Sequence, residues 1–287
     1  MTTTRRRNAL LALAAGCLLL LGTRPSDAEP FVLYEDWSTA ATLRADRWTG
    51  SSDLSQEVER EVQGDKLFMR FRRAGGTGSN VGATGFFSNR LGLINPLSVS
   101  QMEVDLKVRD VAVTGCPANT TASIARAAAI DLNRISDLPP GTPSAPGDLT
   151  GDQIARVEVR RLSDSTDRDG VLTVRAVLFR CNNASCASST VVGSPVTLGE
   201  VRTHNLFRIR LSWDAVGNEF RAGLNDDPDV SLPYAATANA RPANSPFATI
   251  RIQHLPANCT VASGGPTVGD AEIEVRRVGT NASAVIP

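Results

Sequence analysis

Three carboxylates alternate at Glu57, Glu59 and Glu61, and a second series runs Glu103, Asp105, Lys107. Alternate residues of a β-strand project from one face, so either run would set acidic groups side by side on a sheet. Two carboxylates about 5–5.5 Å apart can divide a glycosidic cleavage between them, one attacking the sugar carbon and one protonating the leaving oxygen. The first run falls on an early, peripheral hairpin, where a solvated charged sheet edge is the plainer reading. In the second run Lys107 stands third, and a lysine does not protonate a leaving group and regenerate as a carboxylate does. The two histidines, His204 and His254, are isolated from each other. Gln253 and His254 are neighbours and so face opposite ways on a regular strand. No G-x-S-x-G motif accompanies them, which removes the usual serine-hydrolase reading.

Metal-binding patterns are partial. Thr166, Asp167, Arg168, Asp169 and Gly170 resemble part of a calcium loop, but no glutamate falls at the twelfth position that an EF-hand needs. An Asp-Gly hairpin turn is expected there instead. Residues 148–152 and 225–229 are oxygen-rich in the manner of ordinary turns. Of five cysteines, Cys17 lies in the apolar N-terminal run, leaving Cys116, Cys181, Cys186 and Cys259. No paired C-x-x-C spacing supports zinc. In an exported chain these four read as two disulfides, with three connectivities open. The short polar loop between Cys181 and Cys186 favours a bridge across a hairpin turn, which leaves Cys116 for Cys259. That second bridge would close a long loop and contribute about 4 kcal/mol.

Residues 1–28 read as a secretory leader: Arg5, Arg6 and Arg7, then an uncharged apolar run over 9–22, then Ser26, Asp27 and Ala28. The run is shorter than the roughly 20 apolar residues that span a bilayer. Cys17 sits in a lipoprotein-like box, yet the apolar core continues past it, so cleavage after Ala28 is expected. The product is expected to be secreted or periplasmic, with no integral membrane segment. Of 30 basic and 30 acidic residues, four arginines and one aspartate leave with the leader, giving 26 against 29. Nucleic-acid binders show a strong basic excess instead.

Period-two alternation dominates the remainder. Strands are expected at 57–62, 66–72, 102–108, 127–132, 157–162, 172–180, 207–213, 219–224, 248–253 and 271–278. Helical periodicity is scarce, with a short turn at 38–44 as the best candidate and a helix confined to the leader. Alternation of apolar residues with Arg or Glu describes strands that bury one face and wet the other. No βαβ rhythm appears. The expected fold is all-β: one jelly-roll-like antiparallel sandwich of two stacked sheets over residues 29–287. The Pro- and Gly-rich stretch 136–153 is read as a loop inserted over one sheet edge.

The order of elements resembles the concanavalin A-like lectin/glucanase superfamily, including laminin G-like domains. Glu35-Asp36-Trp37 followed by Trp48 is similar to the opening of these domains, residues 61–69 to their early hairpin, and residues 271–278 to their closing strand. The resemblance implies a sandwich and a structural calcium tying the chain ends through Asp36 and Asp270. Its retaining hydrolases carry Glu-x-Asp-x-Glu on one strand. Here Lys107 breaks that pattern, and the later strand at 157–161 holds one carboxylate, Glu158. The alginate-lyase branch has a Gln-x-His strand and a tyrosine-rich last strand, and neither is present.

Sugar-binding sandwiches use exposed aromatic platforms. Trp37, Trp48 and Trp213 read as core, leaving Tyr234 as the binding candidate. Arg208, Arg210, Arg251 and Arg276 face outward, to meet acidic glycans or to form Arg–Glu ladders across strands. Four Asn-x-Ser/Thr sequons, at Asn119, Asn183, Asn258 and Asn281, are expected to be unused on a bacterial export route. The sequence thus predicts an exported, non-catalytic module that binds polysaccharide or a cell-surface partner. A divergent polysaccharide hydrolase or lyase and a structural envelope protein are the alternatives.

Overall fold

The computed structural model describes residues 31–50, 58–74, 87–115, 122–255 and 268–281. Fifteen strands follow in order: β1 (Val32–Glu35), β2 (Trp48–Thr49), β3 (Val58–Val62), β4 (Leu67–Ala74), β5 (Phe87–Leu93), β6 (Gln101–Val113), β7 (Ile124–Ser136), β8 (Asp152–Leu162), β9 (Val171–Cys181), β10 (Ser189–Arg202), β11 (Leu206–Asp214), β12 (Glu219–Leu224), β13 (Val230–Pro233), β14 (Pro242–Leu255) and β15 (Val268–Thr280). Two short 3-10 turns, Pro96–Ser98 and Ala236–Ala240, are the only helical segments among the described residues. Residues 38–44 form turns and bends and no helix. The expected leader and the expected Cys116–Cys259 bridge lie outside the described residues.

All recorded pairings are antiparallel. One sheet, A, runs β13-β12-β11-β6-β15-β4-β3, with β1 also pairing β15; the other, B, runs β10-β9-β8-β7-β14-β5-β2. The ten expected strands are present, most of them longer than the alternation indicated. The additional β10 lacks a clean alternation because Gly193, Pro195 and Gly199 interrupt it. Its pairing with β9 slips near the two glycines, which adopt φ of 70° and 146°.

The sandwich core follows from alternation. Met102, Val104, Leu106 and Val108 of β6 meet Ile130 and Leu132 of β7, Val157 and Val159 of β8, and Ile250 and Ile252 of β14 in one cluster. Trp37 and Trp48 stack at 6.0 Å near one end, as expected of core residues. His254 also turns inward: its ring stacks on Phe71 at 6.2 Å and occupies the space where a side chain on Gly269 would begin.

Strand β7 departs from strict alternation where it matters most. Gln253 pairs with Arg126 and Arg251 with Ala129, so three steps of β7 oppose two of β14. On the other side Arg160 pairs with Arg126 and Val159 with Ala128. Ala127 is therefore a β-bulge, and both Ala127 and Ala128 point into the core. A bulge re-aims the side chains beyond it. Here it puts Arg126 on the same outer face as Asp131, five residues away. We predict that deleting Ala127 turns Arg126 into the core as an unpaired charge and abolishes the cooperative thermal transition. A deletion variant melting within a few degrees of the parent would refute this role of the bulge.

Candidate functional site

Side chains on the outer face of sheet B are buried although they point away from the core. Asp131 and Glu158 have no measurable exposure, and Gln253, Arg126 and Arg156 remain below a tenth exposed. They cover one another. Asp131 on β7 accepts a hydrogen bond from Arg156 Nε at 2.5 Å, pairs with Arg251 Nε at 2.6 Å and accepts from Thr249 Oγ1 at 3.3 Å. Glu158 on β8 accepts from Arg126 and Arg175, with Arg160 at 3.9 Å. Arg126 also donates to Gln253 Oε1. Register explains the meeting: Asp131 is directly opposite Arg156, and Glu158 lies opposite Ala129 on one side and Arg175 on the other.

Burial and ion pairing oppose each other here, and pairing wins. Burial pushes the Glu158 carboxyl up, but Arg126, Arg156 and Arg175 together outweigh it and hold the pKa at about 2. Asp131 likewise sits below the usual carboxylate range, because Arg156 and Arg251 overcome its desolvation. Neither group is a proton donor near neutral pH, and a general acid has to be protonated at working pH.

Above this lattice lies a groove of about 380 Å³. Its floor carries the arginines and Glu158. Its walls include Phe179, Phe247, Ile154, Val177 and Val191. The Arg156 guanidinium lies 4.8 Å from the Phe179 ring centroid, and Arg90 lies 5.8 Å from that of Phe247. The hairpin loop between β9 and β10 forms part of the rim through Ser185, Cys186 and Ala187. A Cys181–Cys186 disulfide closes that loop, as the short spacing predicted, with the two Cα atoms 4.8 Å apart. The stretch between β7 and β8 docks beside it: Leu149 N donates to Ala184 O and Gly151 N to Cys181 O. The Pro- and Gly-rich loop thus buttresses one wall.

Other sequence candidates fall elsewhere. Tyr234 is not an exposed platform: it is 7% exposed, stacks obliquely against Phe220, and its hydroxyl accepts from Trp213 Nε1 at 2.8 Å. Its place at the end of β13, where the chain folds back over Phe220, accounts for this correction. Trp213 is only partly buried, with Arg134 over its ring at 5.1 Å. Asp36 accepts from Ser38 N and Oγ, while Asp270 pairs with Arg72 at 3.0 Å. Glu35, beside Asp36, pairs with Val278, eight residues along β15 from Asp270. At about 3.3 Å per residue the two carboxylates are roughly 26 Å apart and do not share a cation. Among the described residues no group of three or more His, Cys, Asp or Glu side chains is placed to hold a metal. Asp167 and Asp148 form side-chain-stabilised turns with Ser165 and Thr150.

Glu103, Asp105 and Lys107 line the outer face of sheet A, where charges alternate in ladders. Arg208 binds Asp105 at 2.6 Å, Arg210 binds Asp229 at 2.7 Å and Arg276 binds Glu274 at 2.6 Å. Glu59 and Glu61 are exposed on β3, the edge strand of that sheet. Of the outward arginines singled out from the sequence, Arg251 alone lines the groove on sheet B. Sequence reasoning missed Asp131, Arg126, Arg156, Phe179 and Phe247. The readable signal was on β8, where charges stand at alternate positions, Arg156, Glu158 and Arg160, of a strand that turns out to be central.

No family model and no curated protein matches the chain. Several solved structures resemble the chain at low identity. LamA from Z. galactanivorans, in complex with laminaritriose and laminaritetraose, shares 10% identity over 87% of this chain and 97% of its own, with a TM-score of 0.47. The catalytic domain of an endo-1,3-beta-glucanase (laminarinase) from Thermotoga petrophila shares 10% over 88% and 98%, at 0.46. A Bacteroides ovatus mixed linkage glucan GH16 shares 11% over 85% and 97%, at 0.44. These likenesses concern sheet arrangement, and the groove's own side chains carry the functional argument.

The lattice predicts a specific acid response. Glu158 is ionised in the folded chain at a pH where the unfolded chain is already protonated. Its contribution is therefore complete above pH 4.5, the ordinary value, and is lost as pH falls toward about 2. Removing one partner from such a pair costs about 3–5 kcal/mol. Glu158→Gln is expected to lower unfolding stability by roughly 3 kcal/mol at pH 7 and to flatten the decline between pH 4.5 and 2, both measured by urea titration. Equal pH dependence in variant and parent would rule out the clamped carboxylate.

Proposed function

We propose that this protein is an exported carbohydrate-recognition module whose ligand lies in the groove on the outer face of sheet B. One observation carries the reading: the groove sets an apolar wall, with the partly exposed Phe247 ring packed beside the buried Phe179, next to a floor of fixed polar donors. Sugars present an apolar ring face and a polar periphery, and ligand sites combine apolar walls with a few placed polar groups in just this way. Export rests on the leader read at residues 1–28 and on the Cys181–Cys186 bridge, since disulfides persist in oxidising compartments.

The alternative, hydrolysis of a polysaccharide, is favoured by the position of Asp131 and Glu158 on adjacent central strands under the groove. Protonation separates the two readings. A retaining or inverting cleavage needs one carboxylic acid kept protonated near neutral pH, and both of these are held ionised by arginine. Lyase chemistry would need a base at the floor. His254 faces the core and His204 lies in the β10–β11 turn, so neither of the chain's histidines supplies it.

The test is retention of the disulfide-intact protein on immobilised polysaccharides, followed by sizing of the polymer. The reading expects retention without a change in polymer length. It also expects Phe247→Ala, at the more exposed of the two rings, to weaken retention up to about tenfold, since aromatic ring contacts carry about 0.5–1.5 kcal/mol beyond their buried area. Shortened polymer or new reducing ends would establish the hydrolase or lyase instead. Failure to bind any polysaccharide would leave the groove without a carbohydrate role.

A further inference from the structure

The charge of the groove narrows the ligand. Five guanidinium groups line it, those of Arg90, Arg126, Arg156, Arg175 and Arg251, against one lining carboxylate, Glu158, with Asp131 beneath. Each carboxylate is already shared between arginines on both sides. Arg90 takes no carboxylate partner among the described residues and is placed over the Phe247 ring. The opposite face of the sandwich shows what this chain does when charges serve only the sheet. There Arg208, Arg210 and Arg276 each sit against a carboxylate at 2.6–2.7 Å. The groove keeps cations in surplus, with Arg126 and Arg156 buried and Arg90, Arg175 and Arg251 partly exposed.

Such a surplus is costly. Burial, reinforced by neighbouring arginines, pushes Arg126 down to about 10 and Arg251 down to about 9, even though Glu158 and Asp131 pull the other way. Both remain charged at neutral pH. Buried charges are stable when paired and hydrogen-bonded, so an arriving anion would complete the site. Guanidinium forks match carboxylate and sulfate oxygens bidentately. The walls still supply aromatic and aliphatic surface for the uncharged parts of a sugar ring.

We propose that the groove is selective for anionic polysaccharides, with acidic substituents of the chain seated on Arg90, Arg175 and their neighbours. This rests on the carbohydrate-recognition reading above and specifies its ligand class. Carboxylated and sulfated glycans share the required chemistry, and the probes below separate them.

Binding is to be measured by calorimetry with polygalacturonate, dextran sulfate and the neutral glucan laminarin, in 50 mM and 500 mM sodium chloride. The expected result is binding to at least one of the two anionic polymers, at least tenfold tighter than to laminarin. That preference should shrink in the higher salt, where screening extends to a few ångströms. Binding to polygalacturonate alone would assign carboxylates, and binding to dextran sulfate alone would assign sulfates. Arg90→Gln lies outside the Asp131–Glu158 lattice, so it should keep the parent melting temperature and lose about tenfold in affinity for the bound anionic polymer. Arg276→Gln, on the far face, should change neither. Equal or tighter binding of laminarin would overturn the anionic selectivity while leaving carbohydrate recognition standing. Absence of binding to all three would overturn both. Equal losses for Arg90→Gln and Arg276→Gln would show unspecific charge attraction and remove the groove as its site.

Discussion

Two buried carboxylates clamped by arginines hold the outer face of sheet B together. Asp131 and Glu158 stand on neighbouring central strands, and four of their partners come from β7, β8, β9 and β14. The pairs therefore tie four strands laterally, in addition to the backbone ladder. They also fix the guanidinium planes in a surface that would otherwise carry mobile, solvated side chains. A preorganised polar floor loses less rotamer freedom when a ligand arrives. The same ion pairs thus bear on stability and on the proposed recognition, and they hold both carboxyls below the ordinary carboxylate range.

The two faces of the sandwich use similar residues to different ends. On sheet A, Arg, Lys, Asp and Glu alternate across strands and largely satisfy each other, as at Glu274, which has Lys66, Lys107, Arg109 and Arg276 within 4.0 Å. On sheet B, carboxylates are fewer and each is shared between arginines. Phe179 and Phe247 flank them, and a disulfide-closed hairpin with a docked loop raises one wall. Enclosure and a surplus of one charge sign distinguish a groove from a ladder.

Much of the architecture was legible from alternation alone. Strands with two-residue alternation, such as β6, β11, β12 and β15, were found, and the Cys181–Cys186 bridge followed from its spacing. The site was harder. Its key residues sit on β7, where Ala125, Ala127, Ala128 and Ala129 give no contrast between faces, and the bulge at Ala127 breaks the phase between Arg126 and Asp131. A strict period of two sends those residues to opposite faces. Glu158 was visible as a lone carboxylate on β8, but its significance depends on arginines contributed by three other strands. The aromatic platforms were sought among tyrosine and tryptophan. Tyr234 proved to be a packing residue, while the phenylalanines at 179 and 247 were passed over. The calcium expected at Asp36 and Asp270 came from resemblance, and the length of β15 separates those two carboxylates.

The central claim is that arginines hold Glu158 ionised beneath the groove. Its most direct test is a carboxyl-carbon NMR titration of the folded protein with Glu158 assigned. The account predicts a midpoint near pH 2, with the resonance unchanged from pH 4 upward. A midpoint at or above the ordinary value of 4.5 would contradict it, and would return Glu158 to the class of carboxyls that can donate a proton in catalysis.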